Sequence, residues 1–103
     1  MTSHSGQPLT VFAKRLREAR ERLGIPQDKL GVQIGLDESS SSARISRYET
    51  GTHEPQIRTA KLLAGALSVP LAFLYCDDDT LAAILLKVHA MGVAERKRLL
   101  ATL

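Results

Sequence analysis

From residue 9 to residue 23 the apolar positions Leu9, Phe12, Ala13, Leu16, Ala19 and Leu23 return every three or four residues, with Lys and Arg between them. That spacing is the stripe of an amphipathic helix, opened by Pro8 and stopped by Gly24. A short second helix follows in "IPQDKLGVQIG", opened by Pro26 and closed by Gly35, with Leu30 and Ile34 facing inward. Gly31 inside it costs ~1 kcal/mol relative to Ala, which predicts close approach of another helix there. "ARISRYET" places Ile45 and Tyr48 on one side and ends at Gly51, and Ile57, Ala60, Leu63, Ala64 and Leu67 keep helical spacing after Pro55.

Val69-Pro70 breaks the fourth helix, and "LAFLYC" reads as a fifth, short one that packs Leu71, Phe73 and Leu74. An apolar run of that length also fits a strand, but no partner strand is visible elsewhere. "DDDT" then puts carboxylates at the positive end of a helix that carries Leu81, Ile84, Leu85, Val88 and Met91 on one face. Beyond Gly92 a last helix adds Leu99, Leu100 and Leu103. The expected fold class is all-α: a five-helix domain over residues 8–76, preceded by a flexible tail at 1–7 and followed by a two-helix extension at 77–103. The extension has more apolar surface than so small a chain needs for itself.

Composition narrows the classes. A chain of 103 residues, 44% hydrophobic and 24% charged, suits one soluble globular domain. The lone Cys76 excludes an internal disulfide and has no nearby His to activate it, so it reads as a small buried hydrophobe. His4, His53 and His89 lie too far apart for a metal-ligand cluster, and the consecutive carboxylates Asp77 to Asp79 point in different directions. No catalytic residue, metal or cofactor is expected. The polar start and the lack of any apolar run near ~20 residues argue against export or membrane insertion and for the cytoplasm. Residues 9–61 hold ten Lys and Arg against seven Asp and Glu, an excess that suits an anionic partner.

"RLREARERLGIPQDKLGVQIGL", "ISRYETG" with "EPQIRTAKLLAGALSV", and "LAFLY" together resemble the phage-repressor (XRE/Cro) helix-turn-helix family. The resemblance implies that the third helix lies in the major groove of double-stranded DNA while the second crosses the backbone. Gln27 would then set its amide on a phosphate, and Thr52, His53 and Gln56 would touch backbone beside the groove. Counting 100° per residue puts Ser40, Ala43, Arg44 and Arg47 on the outward face of the third helix. Ser41, Ser42 and Ser46 complete the candidate DNA contacts. Either arginine suits a guanine edge or a phosphate equally well. Arg20 and Glu49 match a salt bridge that ties the first helix to the third in several members of the family.

One departure stands out. Eighteen positions separate Gln27 from Ile45, about one helical turn more than the family's common spacing. The surplus falls in "DESSSS", which either extends the third helix, capped by Asp37 or Ser39, or enlarges the turn before it. The extended helix is the favoured expectation, with Asp37 and Glu38 pointing aside from DNA. The functional expectation is a sequence-specific transcriptional regulator, a repressor that acts as a homodimer on a palindromic operator in a bacterial or phage nucleoid. Its dimer interface would be Leu81 to Leu103. The alternative is an antitoxin whose C-terminal helices grip a toxin while the helix-turn-helix serves autoregulation.

Overall fold

The structure, a computed structural model, describes residues 10–103. The expected tail at 1–7, and Pro8 and Leu9 with it, lie outside the described residues. Six α-helices follow one another: α1 (Val11–Leu23), α2 (Gln27–Gln33), α3 (Glu38–Thr50), α4 (Ile57–Leu67), α5 (Asp79–His89) and α6 (Val93–Thr102). A 3-10 helix, Leu71–Tyr75, lies between α4 and α5. The "LAFLY" segment is therefore helical, in its tighter form.

Local chemistry sets these boundaries. Thr10 caps α1 by accepting the Ala13 N–H at 3.0 Å, and Gly24 closes it at φ +70°. The turn between α2 and α3 runs through Gly35 at φ +96°, a conformation that suits a residue without Cβ. Asp37 stands at the N-cap position of α3, but its carboxylate accepts the Ser39 hydroxyl at 2.8 Å instead of a backbone N–H. The four serines all lie inside α3. The surplus turn thus lengthens the third helix rather than the loop before it.

The core is aliphatic and continuous. Phe12, Leu16 and Ala19 from α1 meet Leu30, Ile45, Tyr48, Leu63, Leu67, Phe73 and Leu74, and α5 adds Ala82. Each large aliphatic side chain buried in this way contributes about 1.5–3 kcal/mol. Where α2 crosses α3, a Cβ on Gly31 would stand 2.8 Å from the Ser41 Cβ. That contact explains the glycine inside a helix, since no larger residue lets the two backbones approach so closely.

Two expected core positions differ. Ile57 is 56% exposed, because it lies about 70° from the centre of the arc formed by Ala60, Leu63, Ala64 and Leu67. Leu23 closes α1 past the edge of the core and is exposed as well. The C-terminal pair contrasts with the rest: α5 buries Ala82 alone, and α6 buries nothing.

Candidate nucleic-acid interface

The buried arc of α3 consists of Ser41, Ile45, Tyr48 and Glu49, spaced at three and four residues. Away from it, Ser40, Ala43, Arg44 and Arg47 are exposed, with Ser42, exposed, and Ser46, half-buried, on the flank. Ser41 therefore cannot be a DNA contact. Four residues before Ile45, it sits on the inner side, fully buried, with its hydroxyl donating to the Asp28 carbonyl at 2.6 Å. The serine run is split by the helix period: one member locks α3 onto α2, and its neighbours face solvent. By the same count Asp37 and Glu38 fall on the arc of Ser41 and Ile45, aside from the arc of Ala43 and Arg47.

Glu49 anchors α3 from behind. It is 3% exposed and receives two N–H bonds from Arg20 of α1, the longer at 3.1 Å, while a third Arg20 nitrogen donates to the Ile25 carbonyl at 2.9 Å. The hydrogen bond to Glu49, outweighing burial, raises the Arg20 pKa further above its ordinary value. Gln27 joins this network: its amide N–H donates to Glu49 at 3.1 Å, and its amide oxygen accepts the Ser42 hydroxyl at 3.4 Å. The Gln27 amide is thus engaged inside the protein, holding the start of α2 against α3. Burial without a partner would cost several kcal/mol for such a charge, and every buried side-chain N or O among the described residues has one.

Arg44 and Arg47 are different. Both are exposed, and neither has a carboxylate or carbonyl partner among the described residues. They line a concavity of about 460 Å³ together with Tyr48, His53, Glu54, Pro55, Gln56 and Thr59. Gln56 occupies the N-cap position of α4, so the first N–H groups of that helix lie beside the same hollow. Arg44, Arg47, His53 and Gln56 are brought together. Thr52, exposed next to His53, bonds its hydroxyl to that of Thr50 at 2.9 Å. The hollow offers two guanidinium forks beside the N–H groups that open α4, which is the chemistry of phosphate and base-edge recognition.

The family model for helix-turn-helix proteins matches residues 16–74. The chain belongs to this DNA-binding family, of the XRE type. In this helix-turn-helix protein α2 and α3 form the motif itself, and the matched segment ends before α5 begins. The chain is also similar to the crystal structure of the transcriptional regulator BswR, at 43% identity and a TM-score of 0.82. That similarity covers 87% of this chain and 89% of the other. No curated protein matches the chain. Among the described residues no helix is long and apolar enough to cross a membrane.

Sequence reasoning missed two arginines and a threonine. Thr59 lines the concavity from the first turn of α4. Arg15 is 3% exposed and binds across to the start of α5, and Arg96 binds the end of α5. A signal for Arg15 is present in the sequence: it lies three residues after Phe12 and four before Ala19, on the buried side of the α1 stripe.

Proposed function

We propose that the protein is a sequence-specific transcriptional repressor that binds double-stranded DNA as a homodimer. The outward face of α3, with Ser40, Ser42, Ala43, Arg44 and Arg47, enters the major groove, and Thr52, His53 and Gln56 follow the backbone beside it. The observation that carries this reading is the contrast among arginines. Arg15 and Arg20 are fully engaged inside the fold, whereas Arg44 and Arg47 are held on the reading face with their donors unused. Similarity to BswR, itself a transcriptional regulator, supports the regulatory role.

The dimer is supported by α5 and α6. Leu81 and Ile84 are each 49% exposed, Leu100 is 72% exposed, and a ten-residue helix with nothing buried is marginal in water. On α5 the arc of Leu81, Ile84, Leu85 and Val88 is centred about 130° around the helix from the arc of Ala82 and Leu86 that packs on the module. A second copy brings the same face and, by two-fold symmetry, a palindromic site. The same unburied α6 favours a second reading, an antitoxin-type partner gripped by this pair. The proposed setting for either is the cytoplasm of a bacterium or phage host.

Footprinting of the purified chain across a salt series tests the proposal. Arg44→Ala and Arg47→Ala each lower operator affinity about tenfold or more, and a phosphate-contacting arginine also flattens the salt slope by about one unit. Absence of any sequence-selective footprint sinks the DNA reading. Sedimentation of the full chain and of Ile84→Asp tests the dimer: the wild type runs as two chains and the variant as one. A wild-type chain that runs as a monomer, and as a complex only with a different protein, gives the second reading instead.

A further inference from the structure

Three joints separate the DNA-reading helix from the C-terminus, and each is closed by an arginine. Arg20 ties α1 to α3 through Glu49. Arg15, also on α1, ties that helix to the segment entering α5. Its Nε donates to the Cys76 carbonyl at 2.7 Å, its Nη1 to Glu18 at 2.9 Å and its Nη2 to Asp79 at 2.9 Å, and the guanidinium lies 5.6 Å from the centroid of the Phe73 ring. Lys14 reaches the same Asp79 oxygen at 3.3 Å. At the far end of α5, Arg96 donates to the Val88 and His89 carbonyls at 3.1 and 2.9 Å and so fixes α6.

Arg15 and Arg20 are five residues apart, so they leave α1 about 140° from one another. One faces α3 and the other faces α5. That makes α1 a strut between the reading face and the proposed dimer face. Of the Arg15 contacts, the one made to α5 itself is Asp79. The Asp79 side chain is 75% exposed, and an exposed pair of this kind adds little to folding stability. Its geometric effect is larger than its energetic one, because a rotation of about 10° moves a point about 20 Å away by about 3.5 Å, close to one base-pair step.

We propose that Arg15 and Asp79 are a positioning pair that sets the angle between α3 and the dimer face on α5, and therefore the half-site spacing that the dimer reads. This rests on the dimeric DNA-binding reading above. A dimer whose joint is loose pays an ordering cost each time it closes on two half-sites, and it accepts neighbouring spacings that the rigid one rejects. Binding of one half-site uses α3 alone and does not sense the joint.

The test uses the full chain and the footprinted operator with its half-sites moved together or apart in single base-pair steps. Wild type, Asp79→Ala and Asp79→Glu are titrated on each duplex and on an isolated half-site. Asp79→Ala keeps its melting temperature within about 2 °C, and its dimerisation and half-site affinity match wild type. It binds the optimally spaced operator about tenfold more weakly, its preference among spacings flattens, and Asp79→Glu restores the optimum. A spacing profile in Asp79→Ala that coincides with the wild-type profile overturns the proposal. A wild-type protein that leaves no footprint, or that sediments as a monomer, instead removes the reading on which it rests.

Discussion

Leu63 on α4 and Leu100 on α6 are the same residue on helices of similar length, yet the first is fully buried and the second is 72% exposed. The difference lies in their neighbours. Around Leu63 the stripe of α4 is matched by α1, α2 and the 3-10 helix, so its inward side chains find others already fixed. No residue of α6 is buried, and the helix is held near its start by two Arg96 hydrogen bonds and by Glu95 capping the Gly92 N–H at 3.1 Å. The module from α1 to the 3-10 helix completes its own core. The α5–α6 pair gives the core Ala82 and part of Leu86 and leaves Leu81, Ile84 and Leu100 exposed, the pattern on which the proposed interface with another molecule rests.

The largest expected effect tests that contrast directly. Leu63→Ala removes about 3 kcal/mol of unfolding free energy, within the usual range for a buried leucine. Leu100→Ala removes less than about 0.5 kcal/mol when urea unfolding is followed on dilute, monomeric protein. At higher concentration Leu100→Ala becomes costlier, because assembly adds to stability by mass action. An equal loss for both variants at every concentration breaks the comparison and places α6 on its own module.

A smaller effect compares the two inter-helix ties. Glu49→Ala leaves the Arg20 guanidinium, with 14% of its side chain exposed, without its carboxylate. The cost is about 2–3 kcal/mol, since an unpaired charge at a mostly buried site is worse than no pair. It appears as a lower melting temperature by differential scanning calorimetry. Arg96→Ala, by contrast, frees two exposed carbonyls and changes the melting temperature of the module little. An unchanged melting temperature in Glu49→Ala removes the structural role of that pair.

Much of this architecture is legible in the sequence, for a specific reason. Helix period, proline openings and glycine stops are local signals: Pro26 opens α2, and Gly24 and Gly51 close α1 and α3 as read, whereas Thr10 caps α1 and Ser68 closes α4. Gly31 is readable too, because a glycine inside a helix needs a cause, and Ser41 supplies it. Ser41 itself falls among the expected DNA contacts because four identical residues hide their phase; only the register with Ile45 separates the inward one from the outward ones. Gln27 reads as a free amide since its partner, Glu49, lies 22 positions away. Arg15 counts with the solvent-facing charges although its spacing puts it at the edge of the buried stripe. Partners distant in sequence decide whether a polar side chain faces in or out, and no local pattern contains them.

The smallest effect concerns the joint between the two regions. The Arg15 guanidinium, and after it the Lys14 ammonium, hold the Asp79 carboxyl below its usual value of 3.8. Burial pulls the Arg15 pKa down, but its hydrogen bonds to Glu18 and Asp79 outweigh this, so it stays charged throughout. A depressed carboxylate contributes stability that is present above its unfolded pKa and is lost as pH falls through the folded one. The joint is therefore unchanged between about pH 5 and about pH 8, and it loosens only in acid below the ordinary aspartate range. The carboxyl carbon shift of Asp79, followed by NMR during acid titration, moves with a midpoint below 3.8. In Lys14→Ala that midpoint rises part of the way back, and added salt has the same direction of effect because the pair is exposed. A midpoint at or above the ordinary value means that Asp79 is not held by α1 in solution, and the two regions are then joined by the chain, the Arg15 bond to the Cys76 carbonyl and the packing of Ala82 and Leu86.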